Sequence, residues 1–171
     1  MKDELSKLPT IGWREYVSLP DLKIPAIKAK VDTGARSSSL HAFEMELYRK
    51  DGLDYVRFKI HPVQRNDELV VEVETPVFDV RCVRSSSGES TVRPVIVTVV
   101  ELLGVAWPIE LTLANRDQMG FRMLLGREAI RGRMLVDPSN SYFGGKPKRK
   151  KVKRKALRPT PSAEPPFTDL D

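Results

Sequence analysis

Residues 30–38 read Lys-Val-Asp-Thr-Gly-Ala-Arg-Ser-Ser, a short polar turn that follows an apolar, β-rich approach. Asp32 is the acid–base group of the central Asp-Thr-Gly-Ala tetrad. Gly34 permits a positive φ or a close backbone approach, which a turn that presents a carboxylate requires. A second stretch, residues 121–130, reads Phe-Arg-Met-Leu-Leu-Gly-Arg-Glu-Ala-Ile and ends in a short helix signal. We predict that the two segments together form one site.

The chemistry of the tetrad depends on a second carboxylate. A single aspartate, with an ordinary pKa of about 3.9, is a poor general base at neutral pH and a worse general acid. Two carboxylates held a few ångströms apart share one proton, so one activates water while the other donates to a carbonyl. The tetrad therefore predicts peptide hydrolysis, with Thr33 holding the turn and Ala35 leaving room for a substrate side chain. Asp-Thr-Gly is also an ordinary turn sequence, which is the competing interpretation.

With both motifs present, the chain resembles the retropepsins. It is most similar to a small bacterial retropepsin-like (RimB-like) family long labelled "ATP-dependent zinc protease", some of whose members are encoded beside RimK-type, ATP-grasp glutamate ligases that modify a ribosomal protein. The matching stretches are residues 31–40, 56–62, 83–88, 93–96 and 123–127. The resemblance implies a mainly β fold, a closed retropepsin-like β barrel with one short C-terminal helix. It also implies an aspartic endopeptidase acting on peptide or related amide bonds.

The resemblance assigns roles to individual residues. Catalysis is expected at Asp32, Thr33 and Gly34. Structural support near the site is expected from Leu125, Gly126 and Arg127.

The number of tetrads predicts the quaternary state. The chain contains one Asp-Thr-Gly sequence, so a dyad requires two chains paired about a twofold axis in a homodimer. Retroviral enzymes carry a further aspartate after the tetrad, which pairs with the arginine of the Gly-Arg segment, whereas this chain has Arg36 there. Arg127 is then expected to pair with Asp137 or Glu128. Arg36 either faces an acidic substrate or points to solvent.

A glycine-bearing hairpin that closes over the substrate is expected at residues 84–91, between β-rich runs at 77–83 and 92–100. A plain surface hairpin is the alternative. Guanidinium groups at this hairpin and beside the tetrad favour a substrate with acidic residues. The resemblance to a family associated with glutamate ligases implies acidic or glutamylated residues. The predicted substrate-binding residues are Ala35, Arg36, Arg84, Ser86, Ser87, Gly88 and Arg93.

Short β-rich runs separated by turn residues dominate the chain and predict a closed or partly closed β architecture. Asp51-Gly52 is a hairpin turn signal, and residues 42–75 are predicted to form a family-specific hairpin insertion. Strands are predicted at 13–19, 24–31, 43–48, 55–60, 69–73, 77–83, 92–100, 106–113 and 134–136, with one helix at 127–132.

Charge divides the chain into a domain at 1–145 and a tail at 146–171. The tail carries nine of the 29 basic residues and three of the 23 acidic ones, so the entire formal charge of +6 belongs to it. Its basic run and later prolines predict disorder. The tail either contacts RNA or the ribosome through counterion release or only keeps the protein soluble. A glutamate ligase is a further expected partner. The competing function is a non-catalytic, peptide-binding adaptor of such a ligase or of a ribosome-associated system.

Several classes of protein do not fit the sequence. The start lacks the apolar region of a signal peptide, and no apolar run reaches the length of a membrane span, so we expect a cytoplasmic location without membrane contact. No ATP-binding glycine loop is present, and His41, His61 and Cys82 are too scattered for a zinc site, so no cofactor or metal is expected. Cys82 lies in an alternating apolar run and is predicted to be a small buried residue.

Overall fold

The computed structural model is mainly β, as the sequence predicts. It describes residues 2–5, 7–84, 87–115 and 120–148. The strands are β1 (Thr10–Gly12), β2 (Arg14–Leu19), β3 (Ile24–Asp32), β4 (Ser38–His41), β5 (Phe43–Lys50), β6 (Leu53–Ile60), β7 (Val71–Pro76), β8 (Asp79–Arg84), β9 (Ser90–Leu102), β10 (Val105–Ala114), β11 (Met123–Gly126) and β12 (Leu135–Asp137). Two short helices, α1 (Lys2–Leu5) and α2 (Arg127–Ile130), and a 3-10 turn (Pro20–Leu22) complete the described secondary structure.

Six strands hydrogen-bond in a closed ring, which we call the ring. Its order is β10, β4, β11, β3, β2 and β9, and β9 pairs again with β10 as an antiparallel hairpin. Strand β8 extends the sheet on the far side of β9. Strand β11 runs parallel to β3, and their register places Gly126 beside Asp32. The two motifs of the sequence therefore meet through sheet pairing.

Strand β3 shows how the ring forms from its sequence. Ile27, Ala29 and Val31 alternate along the strand and are buried, because successive side chains of a strand point to opposite faces. The residues between them are half exposed. The apolar face belongs to one hydrophobic core, which also receives side chains from all the other ring strands.

The insertion predicted at residues 42–75 forms a sheet of its own, β5-β6-β7, which we call the outer sheet. Asp51 and Gly52 both have positive φ, at 52° and 77°, and join β5 to β6 by the predicted hairpin turn. A third strand, β7, adds to the hairpin. On the inner face Val56, Phe58 and Ile60 are fully buried and join the core of the ring.

The structure differs from the predicted elements mainly where strands are short. Strands β1, β4 and β11 lie outside the predicted strand ranges, because three or four residues carry little periodic signal and their partners lie far away in sequence. Strand β7 ends at Pro76, which an edge strand tolerates. Helix α2 begins directly after Gly126 as predicted but ends at Ile130, and Gly132 beyond it has a positive φ of 70°. Helix α1 and the 3-10 turn were not predicted.

The prediction that Cys82 is buried was wrong. The residue is an exposed free cysteine on β8. A period-two pattern separates the two faces of a strand but does not say which face is covered, and β8 lies at the edge of its sheet.

In the part of the chain that the structure describes, no helix is both long enough and apolar enough to cross a membrane.

Candidate active site

Asp32 ends β3 and opens the turn that carries the tetrad. Its Oδ1 accepts hydrogen bonds from the backbone N–H groups of Gly34, at 3.0 Å, and Ala35, at 3.1 Å. The carboxylate is half buried, whereas Thr33 and Gly34 are exposed. Two bonds from the turn's own backbone fix the orientation of the carboxylate without any other side chain. Gly34 does not have the positive φ that the sequence analysis considered, and a Cβ there would lie 3.3 Å from Asp32 Oδ1, so the room for a side chain is limited by the carboxylate itself.

The second motif packs against the turn through its backbone. The Gly126 N–H donates to Ser38 Oγ at 3.0 Å, and a Cβ on Gly126 would lie 2.4 Å from the carbonyl carbon of Ser37. Only glycine allows so close an approach. Leu125, beside it, is fully buried and anchors β11 in the core. The first turn of α2 continues the contact, because the Arg127 N–H donates to the carbonyl of Ala35 at 2.7 Å.

The predicted pairing of Arg127 with Asp137 or Glu128 was wrong. Its Nη1 donates to the carbonyl oxygen of Thr33 at 3.0 Å, so it supports the tetrad through the backbone. Glu128 instead lies 3.6 Å from Arg131, three residues along. Asp137 accepts bonds from the turn that follows it, chiefly from an asparagine side chain, which lowers its pKa below the ordinary value.

The predicted lid corresponds to the β8–β9 hairpin. Arg84 ends β8 opposite the start of β9, and Arg93 lies on β9 opposite Arg81. Gly88 has a positive φ of 85° with open space around its α-carbon, as a hairpin tip requires. Ser87 belongs to the same exposed turn, whereas Ser86 lies outside the described residues.

Comparison with known proteins identifies the family. A protein-family sequence model described as RimB-like, "Retropepsin-like aspartic endopeptidase RimB", matches residues 10–147. The match includes both motifs and the hairpin. The chain belongs to this RimB-like family.

The curated relatives that match are larger proteins named "Probable alpha-L-glutamate ligase". The protein from Shewanella pealeana is 49% identical over 135 residues, covering 79% of this chain and 30% of the relative. The one from Desulfotalea psychrophila is 48% identical over 139 residues, covering 81% and 30%. The chain thus spans about a third of the length of the curated relatives it matches.

A solved structure supports the same fold. The crystal structure of Lpg0085 from Legionella pneumophila, described as a protein of unknown function, superposes with a TM-score of 0.65 at 28% sequence identity. The match covers 80% of this chain and 98% of that chain.

The RimB-like site is flanked by a cavity of about 550 Å³ between the tetrad loop, α2, β8 and β10. Arg36 lines it, together with Arg81 from the hairpin and Arg133 from the segment after α2. Hydrogen bonds to Glu110, at 2.8 Å, and to Asp79 hold the Arg81 guanidinium and raise its pKa. Arg36 is exposed, and its predicted contact with substrate stays a prediction.

A smaller cavity, of about 120 Å³, is lined mainly by residues of β4, of β11 and of the segment that leads into β11. Arg93 lines it beside Leu124 and Arg122. The Arg122 guanidinium is almost fully buried and donates to the exposed Asp67 at 2.6 Å. The sequence analysis did not single out Arg122, because a lone arginine beside an apolar run carries no local sign of burial.

The two histidines considered for zinc lie on either side of Phe43. Its ring stacks on His61, with centroids 4.4 Å apart, and lies 6.5 Å from His41. No group of three potential ligands among His, Cys, Asp and Glu is found within the described ranges.

A cationic face next to Asp32 was also missed. Lys28 and Lys30 alternate with buried residues on β3 and share the face on which Asp32 lies. Arg14 on β2 lies directly opposite Lys30 in the antiparallel pairing of β2 and β3. The alternation of Lys28, Lys30 and Asp32 was the available sequence signal, but the contribution of Arg14 depends on register.

Proposed function

We propose that this chain is an aspartic endopeptidase that works as a twofold homodimer, with Asp32 of each chain facing the other across the axis. The observation that carries the proposal is the Asp32 turn, whose carboxylate oxygen accepts two backbone hydrogen bonds beside Gly126. Membership of the retropepsin-like endopeptidase family supports the same reaction.

The reaction follows from the proposed dyad. Two aspartates so close cannot both ionise easily, so the pair retains one proton. The ionised member takes a proton from water as it attacks the peptide carbonyl, and the protonated member donates to the carbonyl oxygen. Thr33 and Gly34 keep the turn in place, and the Arg127 bond to Thr33 supports it from behind.

The proposed substrate is a peptide or protein with acidic or glutamylated residues. The β8–β9 hairpin would close over it, with Ser87 and Gly88 at the tip, and the predicted contact of Ser86 stays a prediction. Arg36, Arg84 and Arg93 would bind carboxylates, and this charge argument supports an acidic substrate.

The test of the reaction is mass spectrometry of a diverse peptide pool incubated with wild-type chain and with Asp32→Asn from acidic to neutral pH. Asp51→Asn is the matched control, because Asp51 lies in the exposed turn of the outer sheet and asparagine accepts its positive φ. We expect cleavage by the wild type and the control but not by Asp32→Asn. Equal cleavage by all three would refute the proposal.

The dimer has its own test, in which wild-type and Asp32→Asn chains are mixed in equal amounts and allowed to exchange. If each site needs both aspartates, random pairing leaves about a quarter of the activity. Independent monomers would retain about half. Sedimentation of the same samples reports the mass directly.

The alternative function is a peptide-binding adaptor of a glutamate ligase. The curated relatives favour it, because their name is that of a ligase and about 70% of their length lies outside the match. An adaptor has no need of a shared proton, so peptide binding by wild type without any cleavage, and without an effect of Asp32→Asn, would favour it.

We also propose that the basic tail, from residue 146, contacts RNA or the ribosome in a cytoplasmic setting. Most of it, from residue 149, lies outside the described residues. Replacing its Lys and Arg residues by glutamine should abolish salt-sensitive RNA binding and spare peptide cleavage. RNA binding that persists would transfer the contact to the folded domain.

A further inference from the structure

We propose that Arg14, Lys28 and Lys30 form a subsite that binds the carboxylate of an acidic substrate residue next to the cleaved bond. The inference rests on the proposed peptidase function and names a second set of cations, separate from those of the hairpin. We call these three residues the cationic strip.

The strip begins beside the catalytic turn. Lys30 lies two residues before Asp32 on the same face of β3, and a strand rises by about 3.3 Å per residue. The Lys30 side chain therefore emerges within about 7 Å of the Asp32 position along the strand. A bound peptide whose carbonyl is attacked at Asp32 would place a neighbouring side chain at this distance.

The register of the ladder brings like charges together. Arg14 is the cross-strand partner of Lys30, and Tyr16 is the partner of Lys28. Residues directly opposite in an antiparallel pair have Cβ atoms about 5 Å apart, and like charges there are destabilising. The register therefore gathers three cationic side chains on the face of the sheet that carries Asp32.

Arg14 is held in place by aromatic rings. Its guanidinium lies over Trp13, 4.4 Å from the ring centroid, and over Tyr142 at 5.0 Å. Its Nε is buried and meets no hydrogen-bond acceptor among the described residues. The described residues also give Arg14 no ion pair. A guanidinium fixed in this way loses little conformational freedom on binding a carboxylate.

The aromatic rings continue around the strip. Phe121 packs edge-on against Trp13, with centroids 6.2 Å apart, and Lys28 Nζ lies 5.1 Å from the Phe121 centroid. Phe121 belongs to the segment that leads into β11. An apolar wall with cations at its edge accommodates the methylene groups and the carboxylate of a glutamate side chain. Because the cationic strip shares a face with Asp32, a peptide is favoured over RNA as its ligand.

The experiment measures binding to the Asp32→Asn chain, in which cleavage is blocked. The probes are fluorescent, capped octapeptides of alanine and serine with glutamate at the two central positions, and the same peptides with glutamine there. We expect the glutamate peptide to bind about tenfold tighter, as charge-assisted hydrogen bonds predict. Adding Arg14→Gln or Lys30→Gln should remove the preference.

Arg49→Gln is the matched control, because Arg49 is an exposed arginine on β5 that pairs with Asp54. It should keep the preference, and Arg14→Lys, which retains the charge, should keep most of it. Lys30→Gln provides the result independently if Arg14→Gln does not fold. A preference for the glutamate peptide that both strip variants leave unchanged would overturn the proposal. An equal loss of binding for both peptides, or dissociation of the dimer, would also overturn it. Displacement of both peptides alike by single-stranded RNA would assign the strip to RNA.

Cleavage by the chain with intact Asp32 is measured in parallel and separates this proposal from the first. If the peptides bind with the expected preference and no peptide is cleaved, the subsite stands and the peptidase function fails. If peptides are cleaved with no preference for glutamate, the subsite fails and the peptidase function stands.

Discussion

The ring and the outer sheet position their carboxylates differently. In the ring, Asp32 and the fully buried Glu15 accept hydrogen bonds from backbone N–H groups. On the outer sheet, exposed Glu74 accepts them from the side chains of Lys50 and Arg57. Backbone donors are fixed by the fold, whereas long side chains must give up rotamer freedom to bind. The ring therefore holds its carboxylates in fixed positions, whereas carboxylates on the outer face of the outer sheet can be substituted with little effect.

The largest effect is expected from a substitution that tests whether the ring and the outer sheet share one core. Phe58 on β6 is fully buried in the cluster that fills the ring, so Phe58→Ala should lower the free energy of unfolding by about 4 kcal/mol. Denaturant unfolding should still show one transition. Leu47→Ala, on the same sheet but half exposed, is the control and should change little. Two separate transitions would mean that the outer sheet folds on its own.

Glu15 tests the value of backbone donors in the ring. Its carboxylate accepts from the N–H groups of Gly12, Phe143 and Gly144, at 3.1, 3.0 and 2.9 Å, and so fastens the segment after β12 across β2. Glu15→Ala leaves one buried and two partly buried N–H donors without acceptors and should cost about 3 kcal/mol of stability. Thermal unfolding of both variants is the measurement, and Glu74→Ala on the outer sheet should lower stability much less. Equal losses would remove the distinction between the regions.

Two glycines sharpen the comparison at the level of the backbone. A Cβ at Gly126 would meet the Ser37 carbonyl oxygen at 2.5 Å, so Gly126→Ala should cost about 2 kcal/mol and displace the tetrad loop. Gly52 has φ of 77° with open space, so Gly52→Ala should cost about 1 kcal/mol from backbone strain alone. Peptide cleavage should be lost in the first variant and kept in the second. Retained cleavage by Gly126→Ala would show that the contact is not needed.

The smallest expected effect concerns pH on the outer sheet. The Tyr48 hydroxyl nearby, and then the hydrogen bonds from Lys50 and Arg57, lower the pKa of Glu74 to about 2. Because this pKa lies below its value in the unfolded chain, the stabilising contribution is present above about pH 4.5 and disappears as the pH falls through 2. An NMR titration of the Glu74 carboxyl should give a midpoint near 2. A midpoint above 4 would show that the network does not persist in solution.

The sequence predicted the local features of both regions well. The Asp51-Gly52 turn, the start of α2 after Gly126 and the β8–β9 hairpin follow from residues that are neighbours in the chain. The family was also identified from its motifs, and the match to the protein-family sequence model confirms it. The ends of β7 and β8 were misplaced: both strands begin two residues later than predicted, and β7 continues three residues beyond its predicted end, because alternation alone does not mark where strand pairing begins and stops.

Features that depend on distant partners were missed. Arg127 was predicted to pair with a carboxylate, but its guanidinium donates to the carbonyl oxygen of Thr33 in the tetrad loop. The exposure of Cys82 depends on which strand lies at the edge of the sheet. The cationic strip needs the register between β2 and β3, which brings Arg14 opposite Lys30.

The sequence by itself determined the turn that follows Asp32 and the alternation of apolar residues, because steric limits and strand periodicity act over a few residues. The tertiary structure alone decided that β11 lies parallel to β3 and brings Gly126 beside Asp32. It also decided that the outer sheet shares the core of the ring and that Glu15 holds the segment after β12. These outcomes depend on the pairing and packing of residues far apart in the chain, and no local pattern encodes a register between distant strands.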